Sequence, residues 1–104
     1  MPDTLTELAE TIASRRDADP ATSYVARLIA GGAPLAVRKL GEEAVETIVA
    51  ALSGDRDALT AEAADLVFHL LVLLEVRGVA YADVLAELAR REGVSGLAEK
   101  AARA

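Results

Sequence analysis

From residue 4 onward, apolar positions recur three and four residues apart, and no stretch alternates strictly, so the pattern predicts helices and no strand. A first helix starts at Thr4, whose hydroxyl can cap while Glu7 reaches back. It ends near Arg16, because Asp17-Ala18-Asp19-Pro20 breaks the pattern. A second passes through Tyr24, Leu28 and Ile29 and stops at Gly31-Gly32. A third, with Pro34 in its first turn, runs to about Ser53. Gly54 closes it, and Asp55 can cap a fourth that reaches Arg77 and ends at Gly78. A fifth covers roughly Ala82 to Glu92 and stops at Gly93, with Tyr81 where a capping Ser or Asp is expected. A short helix from about Gly96 follows. These elements predict one all-α domain over residues 1–104, a bundle of about five helices.

Two of these helices carry acids in register. On the third, Lys39, Glu42, Glu43 and Glu46 share one face, while Val37, Leu40, Ala44, Ile48 and Leu52 occupy the other side. A solvated face accounts for such a cluster by itself. The fourth helix changes the picture. Glu62, Asp65 and His69 fall on one stripe of a helix that is apolar on nearly every side, and a helix of that kind is expected to be buried. Carboxylates are rarely buried without partners. The short Ser53-Gly54-Asp55 turn predicts an antiparallel pair, which sets the Glu42–Glu46 face beside Glu62 and Asp65. Two carboxylates about 4 Å apart repel by roughly 4 kcal/mol at an effective dielectric near 20, so the group requires protons or cations. An all-oxygen set selects Mg²⁺ or Mn²⁺ over zinc, and inward-facing carboxylates on paired helices build metal sites in bundles. Four other helices cover an all-apolar helix only in part, so a homodimer with an Ala/Leu/Val interface is expected.

Composition narrows the chemistry. Apolar residues make up 53% of the chain but aromatics only 3%, so the core must be Ala, Leu and Val, which suits close helix packing. The absence of Cys excludes disulfides and thiolate metal sites and favours a reducing, cytoplasmic setting, and no export signal is evident. The longest apolar run, Leu66 to Leu74, is broken by His69 and too short to span a membrane. A net charge of −6 argues against nucleic-acid binding, yet it permits an anionic small molecule bridged by cations. Gly31-Gly32 lacks the Lys-Ser/Thr sequel of a phosphate-cradling loop, and no nucleophilic triad is present. Cleavage of a phosphoanhydride, which needs its oxygens shielded and a water aligned, fits the acidic group.

Glu42-Glu43-Ala44-Val45-Glu46, followed by Glu62-Ala63-Ala64-Asp65, resembles the EExxE…ExxD signature of the all-α nucleoside triphosphate pyrophosphohydrolases, which include MazG-type enzymes and dimeric dUTPases. Further segments are Ser23-Tyr24 with Arg27-Leu28, Arg38-Lys39, Gly54-Asp55, Arg90-Arg91, and the tail Ser95-Gly96-Leu97 with Glu99-Lys100. With these, the chain is similar to the phosphoribosyl-ATP pyrophosphohydrolase family over residues 23–103, leaving the helix in 1–16 as an extra N-terminal element. The resemblance implies hydrolysis of phosphoribosyl-ATP to phosphoribosyl-AMP and pyrophosphate in histidine biosynthesis, assisted by Mg²⁺ or Mn²⁺. It makes Glu43, Glu46, Glu62 and Asp65 the metal ligands. Glu42 holds a second metal or orients the attacking water, so Glu42 and Glu46 are the catalytic candidates, and Lys39 meets phosphate. Ser23, His69, Arg90, Arg91 and Lys100 are candidate substrate contacts. The plainer readings are a hydrogen-bonded core residue for His69 and solvated charges for the three cations. Phe68, where the family commonly has Tyr, and Tyr81, where a small capping residue is usual, depart from the pattern. Relatives are often fused to a cyclohydrolase that acts next, so a separate cyclohydrolase is the expected partner here. Two other readings are a house-cleaning nucleotide pyrophosphatase of other base specificity and a non-catalytic helical dimerisation module. The tail favours the histidine-pathway enzyme over the first of these.

Overall fold

Helix ends are where the sequence acts most directly. In a computed structural model, which describes residues 3–92 and 96–103, the elements are α1 (Thr4–Ser14), α2 (Tyr24–Ala30), α3 (Gly32–Ser53), α4 (Arg56–Arg77), α5 (Tyr81–Arg91) and α6 (Gly96–Arg103). The fold is all-α, with no strand among the described residues. Gly93, expected to stop α5, and Ser95 of the tail lie outside the described residues, as does the side chain of Glu99.

The cap of α1 is Asp3 rather than Thr4: its carboxylate accepts from the Thr6 N–H at 2.7 Å, and Thr4 becomes the first helical residue. An aspartate there satisfies an orphan donor and also places negative charge at the positive helix end. The helix stops at Ser14, two residues short of Arg16, and Arg15 and Arg16 donate to carbonyls three residues back. α3 begins at Gly32, which takes φ +72° at the corner after α2, and Pro34 lies in its first turn as expected. α5 starts at Tyr81, one residue before the expected Ala82, so the capping position falls to Ala80 and not to Tyr81, and it has no side-chain cap.

Gly54 (φ +78°) and Asp55 form the whole connection between α3 and α4. The Asp55 carboxylate accepts from the N–H groups of Asp57 and Ala58 at 3.0 and 3.1 Å. So short a turn folds the two 22-residue helices into an antiparallel hairpin, the most extensive interhelix packing in the chain.

The core lies on the other side of α4, where Ile12, Leu28, Leu71 and Val72 bury one another with Leu8, Val25, Val67 and Phe68 packed around them. Arg16 locks α1 to the end of α4, donating to the Glu75 carboxylate at 2.9 Å and to its backbone carbonyl at 2.5 Å. No helix among the described residues is long and apolar enough to cross a membrane.

One face assignment needs correction, and one apolar face lies open. α4 is not buried all round: only His69, Leu71 and Val72 are fully buried, and Leu70 is 39% exposed. On α3, Val37, Ile48 and Leu52 do not face the core; they are 55%, 58% and 84% exposed. The reason is that α4 packs against the Glu43–Thr47–Ala50 side of α3, where Ala36 and Ala50 are buried, and α2 is the other helix against it.

Because Ile12 is 1% exposed and anchors α1 to α4, Ile12→Ala should cost about 2–5 kcal/mol. Urea denaturation at fixed protein concentration measures this, and a loss below about 1 kcal/mol would contradict the packing described.

Candidate active site

One helical turn separates Glu43 from Glu46 on α3, and three residues separate Glu62 from Asp65 on α4. The hairpin brings the two pairs to one level. One carboxylate oxygen each from Glu43, Glu62 and Asp65 lies within 4.8 Å of the others. Glu43 and Glu62 are half-buried, and each has one oxygen, Oε2, shielded from solvent with no hydrogen-bond partner. Asp65 and Glu46 are exposed at the edge of the group, and the Glu46 carboxyl engages those of both Glu43 and Glu62.

Electrostatics follow from this crowding. Burial first, and then the shared hydrogen bond with Glu46 and the charges of Glu46 and Asp65, push the Glu43 carboxyl up to about 7. Glu62 is raised as well, chiefly by its hydrogen bond with Glu46 and then by burial. Among the described residues no Lys or Arg pairs with any of the four. The nearby cations turn outward instead: Lys39 Nζ lies 3.6 Å and Arg38 Nε 3.7 Å from the Glu42 carboxylate. Orphaned carboxylate oxygens, an all-oxygen donor set and a deficit of positive charge fit a hard divalent cation, which Glu43, Glu62 and Asp65 would hold. Beside the group, a groove of about 470 Å³ runs along α3 and α4 toward the hairpin turn, lined by Val45, Glu46, Val49, Ala50, Ser53, Ala58 and Glu62.

The remaining sequence candidates are placed as follows. His69 is buried, and its Nδ1 lies 2.8 Å from the Asp65 carbonyl oxygen, so Nδ1 carries the proton and donates. Nε2 is left to accept from the Tyr24 hydroxyl at 3.3 Å, and the ring meets Phe68 edge-on at 5.0 Å between centroids. Both ring nitrogens are thus engaged within the chain, bracing α4 against α2 just behind Asp65. Ser23 is buried as the cap of α2, its hydroxyl accepting from the Ala26 N–H at 3.1 Å. Arg90 and Arg91 both pair with Glu87, at 2.6 and 3.0 Å, and hold its carboxyl down at about 2. They sit on α5, which packs against α1, and among the described residues nothing joins them to the four carboxylates. Lys100 is exposed on α6. Sequence reasoning missed Thr47, and it gives Tyr24 a packing role with a hydroxyl in water, where the structure sets that hydroxyl against His69. Thr47 stands four residues after Glu43, on the face that turns to α4, and that spacing was the available signal.

A family model described as phosphoribosyl-ATP pyrophosphohydrolase matches residues 5–92. The chain belongs to the phosphoribosyl-ATP pyrophosphohydrolase family. It is similar to proteins named phosphoribosyl-ATP pyrophosphatase in three organisms. That of Rhizorhabdus wittichii is 67% identical, covering 99% of this chain and 97% of the relative. Those of Erythrobacter litoralis and Novosphingobium aromaticivorans are 62% and 60% identical, covering 96% and 95% of this chain and 96% and 92% of the relatives. The phosphoribosyl-ATP pyrophosphohydrolase match takes in nearly all of α1, which the motifs alone leave outside.

The metal-free site makes a pH prediction. Glu43 holds its proton more tightly in the fold, at about 7, than at its ordinary 4.5, so protonation favours the folded state. Stability from this group is full below pH 4.5 and is lost as pH rises through 7, with Glu62 acting in the same direction. The depressed Glu87 carboxyl works the other way, but only below about 4.5. In chelator, the melting temperature should therefore fall between pH 4.5 and 7.5, and Glu43→Gln should flatten that fall and raise stability at pH 7.5. A parallel pH profile for the variant would refute the assignment.

Proposed function

We infer that this chain hydrolyses phosphoribosyl-ATP to phosphoribosyl-AMP and pyrophosphate, an early step of histidine biosynthesis, with Mg²⁺ or Mn²⁺ as its cofactor and the cytoplasm as its setting. The observation that carries the reading is the cluster of Glu43, Glu62 and Asp65 with Glu46 beside it, which no basic side chain pairs with among the described residues, in a member of this family. Glu43, Glu46, Glu62 and Asp65 are the ligand set. A divalent cation bound there supplies charge to shield the triphosphate oxygens and acidifies water. Glu46, exposed beside the shielded oxygens of Glu43 and Glu62, is positioned to take the proton of the attacking water. Glu42, held between Arg38 and Lys39, orients that water from the preceding turn. The Lys39–Glu42 pair is a surface pair worth little, so Lys39 can turn to a substrate phosphate at small cost. Water attacks the α-phosphorus, the bond to the bridging oxygen of the β-phosphate breaks, and pyrophosphate leaves with the electron pair. Ser23, His69, Arg90, Arg91 and Lys100 remain proposed contributors to substrate binding. Ser23 and His69 do so by holding α2 and α4; the three cations do so where a partner chain or a substrate brings them within reach. A separate cyclohydrolase consumes the product. Family membership sets the house-cleaning reading aside, and the buried unpartnered oxygens weigh against an idle acidic face.

Glu46→Gln and Asp65→Asn should each lower turnover on the order of 100-fold or more while the fold persists. In ¹⁸O-water the label should enter phosphoribosyl-AMP and not pyrophosphate. Label in pyrophosphate, release of orthophosphate, or near-normal turnover by both variants would overturn the mechanism.

The same reading includes a homodimer. Val37, Val45, Ile48, Val49 and Leu52 form an apolar stripe on α3, each more than half exposed. The chain exposes 7079 Å², against about 5,500 Å² for a closed monomer of this mass. Its radius of gyration is 15.7 Å, against about 13 Å for a compact domain. The excess, about 1,500 Å² for one chain, is roughly twice one partner's share of a standard interface and fits the larger interface of an obligate homodimer. Sedimentation should show a dimer at micromolar concentration, and Ile48→Asp should shift it toward monomer; a wild-type monomer would sink this part.

A further inference from the structure

One hydroxyl joins the two helices at the level of the acidic group. Thr47 is half-buried on α3, and its Oγ1 lies 2.7 Å from the backbone carbonyl of Glu43 and 3.2 Å from that of Glu62 on α4. The bond to the residue four back is ordinary for a helical threonine. Thr11 and Thr60 make it too, at exposed positions, to Glu7 and Arg56. What sets Thr47 apart is the second acceptor, fifteen residues away on the facing helix. No other hydroxyl links α3 to α4 among the described residues. Its two acceptors belong to Glu43 and Glu62, the residues that each keep a shielded oxygen without a partner.

We propose that Thr47 is a positioning residue that sets the spacing of Glu43 and Glu62 across the hairpin and so tunes the site's affinity for a divalent cation. The proposal rests on the metal reading above. Like charges on facing helices push α3 and α4 apart at this level. A single proton shared between a carbonyl of each helix draws them together there. A carbonyl oxygen has two lone pairs, so Glu62 can accept from Thr47 without giving up its helical bond. Cations tolerate errors of only about 0.2 Å in ligand distance, so a small drift of one helix costs metal affinity long before it costs fold. The i+4 spacing from Glu43 places Thr47 on the α4-facing side without placing it among the ligands.

The test uses Mn²⁺ alone, with no substrate, and counts free Mn²⁺ by electron paramagnetic resonance. Thr47→Val replaces the hydroxyl with a methyl at nearly constant volume, Thr47→Ala removes both branches, and Thr47→Ser keeps the hydroxyl. The Val and Ala variants should raise the Mn²⁺ Kd about tenfold, and Ser should stay within about twofold of wild type. Should Val fail to fold, Ala against Ser decides. Wild-type affinity in Val and Ala, or an equal loss in Ser, overturns the positioning role and leaves the metal reading standing. Wild-type protein that takes up no Mn²⁺ overturns both.

Discussion

Mutual repulsion among Glu43, Glu46, Glu62 and Asp65 is the constraint around which the hairpin is organised, because separate helices would let these carboxylates drift apart. The two-residue connection at Gly54 and Asp55 prevents that. A shift of one residue in α4 would rotate Glu62 by about 100° and carry it off the α3-facing side. Turn and cap therefore set the register of the site as well as ending a helix. Crowding pushes the Glu43 and Glu62 carboxyls above their ordinary range, so without a cation protons would relieve the repulsion. A structural ion-pair network would have recruited Arg38 or Lys39, yet both are spent on Glu42, outside the group. The positive charge is left to come from solution.

A core poor in aromatics shapes what surrounds this site. Ala36 and Ala50 are the buried residues of α3, and small side chains let neighbouring helices approach closely. The larger core residues, Ile12, Leu28, Leu71 and Val72, gather between α1, α2 and α4. α3 thus contributes little bulk to the interior and turns its valines and Ile48 outward. The helix that carries half of the acidic group also carries the apolar stripe, so the proposed dimer contact and the proposed site would share one element. A change at the stripe reaches Glu43 and Glu46 through a single turn of helix.

Much of this could be read from residue types at particular positions. Gly54, Gly78 and Asp55 mark helix ends because few other residues take φ near +75° or cap so well, and the structure places all three as expected. The meeting of Glu43 with Glu62 and Asp65 followed from helix period plus a short turn. Periodicity says which positions share a face, however, and not which neighbour covers that face. It therefore puts Val37, Ile48 and Leu52 opposite the acids without saying whether a neighbour covers them, and it predicts α4 buried on every side. Asp3 was passed over because Thr4 offers an equally plausible cap one residue later. The spacing from Glu43 puts Thr47 on the α4-facing side, but its bond across the hairpin is not legible, because the second acceptor is a backbone carbonyl and leaves no trace in residue identity.

Side chains hold the backbone beneath three of the four carboxylates. The carbonyls of Glu43 and Glu62 accept from Thr47, and that of Asp65 accepts from His69, which is itself bonded to Tyr24. Glu43, Glu62 and Asp65 are also the three whose oxygens lie within 4.8 Å of one another. No side chain bonds the carbonyl of Glu46 among the described residues, and its carboxyl is exposed. The difference suits a division of labour. Ligands for a hard cation gain from stiffness, because affinity depends on distances that cannot relax. A group that accepts a proton and then gives it up must change hydrogen-bond partners within each turnover, and a fixed environment would favour one protonation state over the other. The packing behind the site therefore separates three carboxylates whose backbone carbonyls are held by side chains from an exposed fourth, Glu46, whose carbonyl is not. Helix period alone makes no such distinction, since it treats Glu43 and Glu46 as equivalents one turn apart.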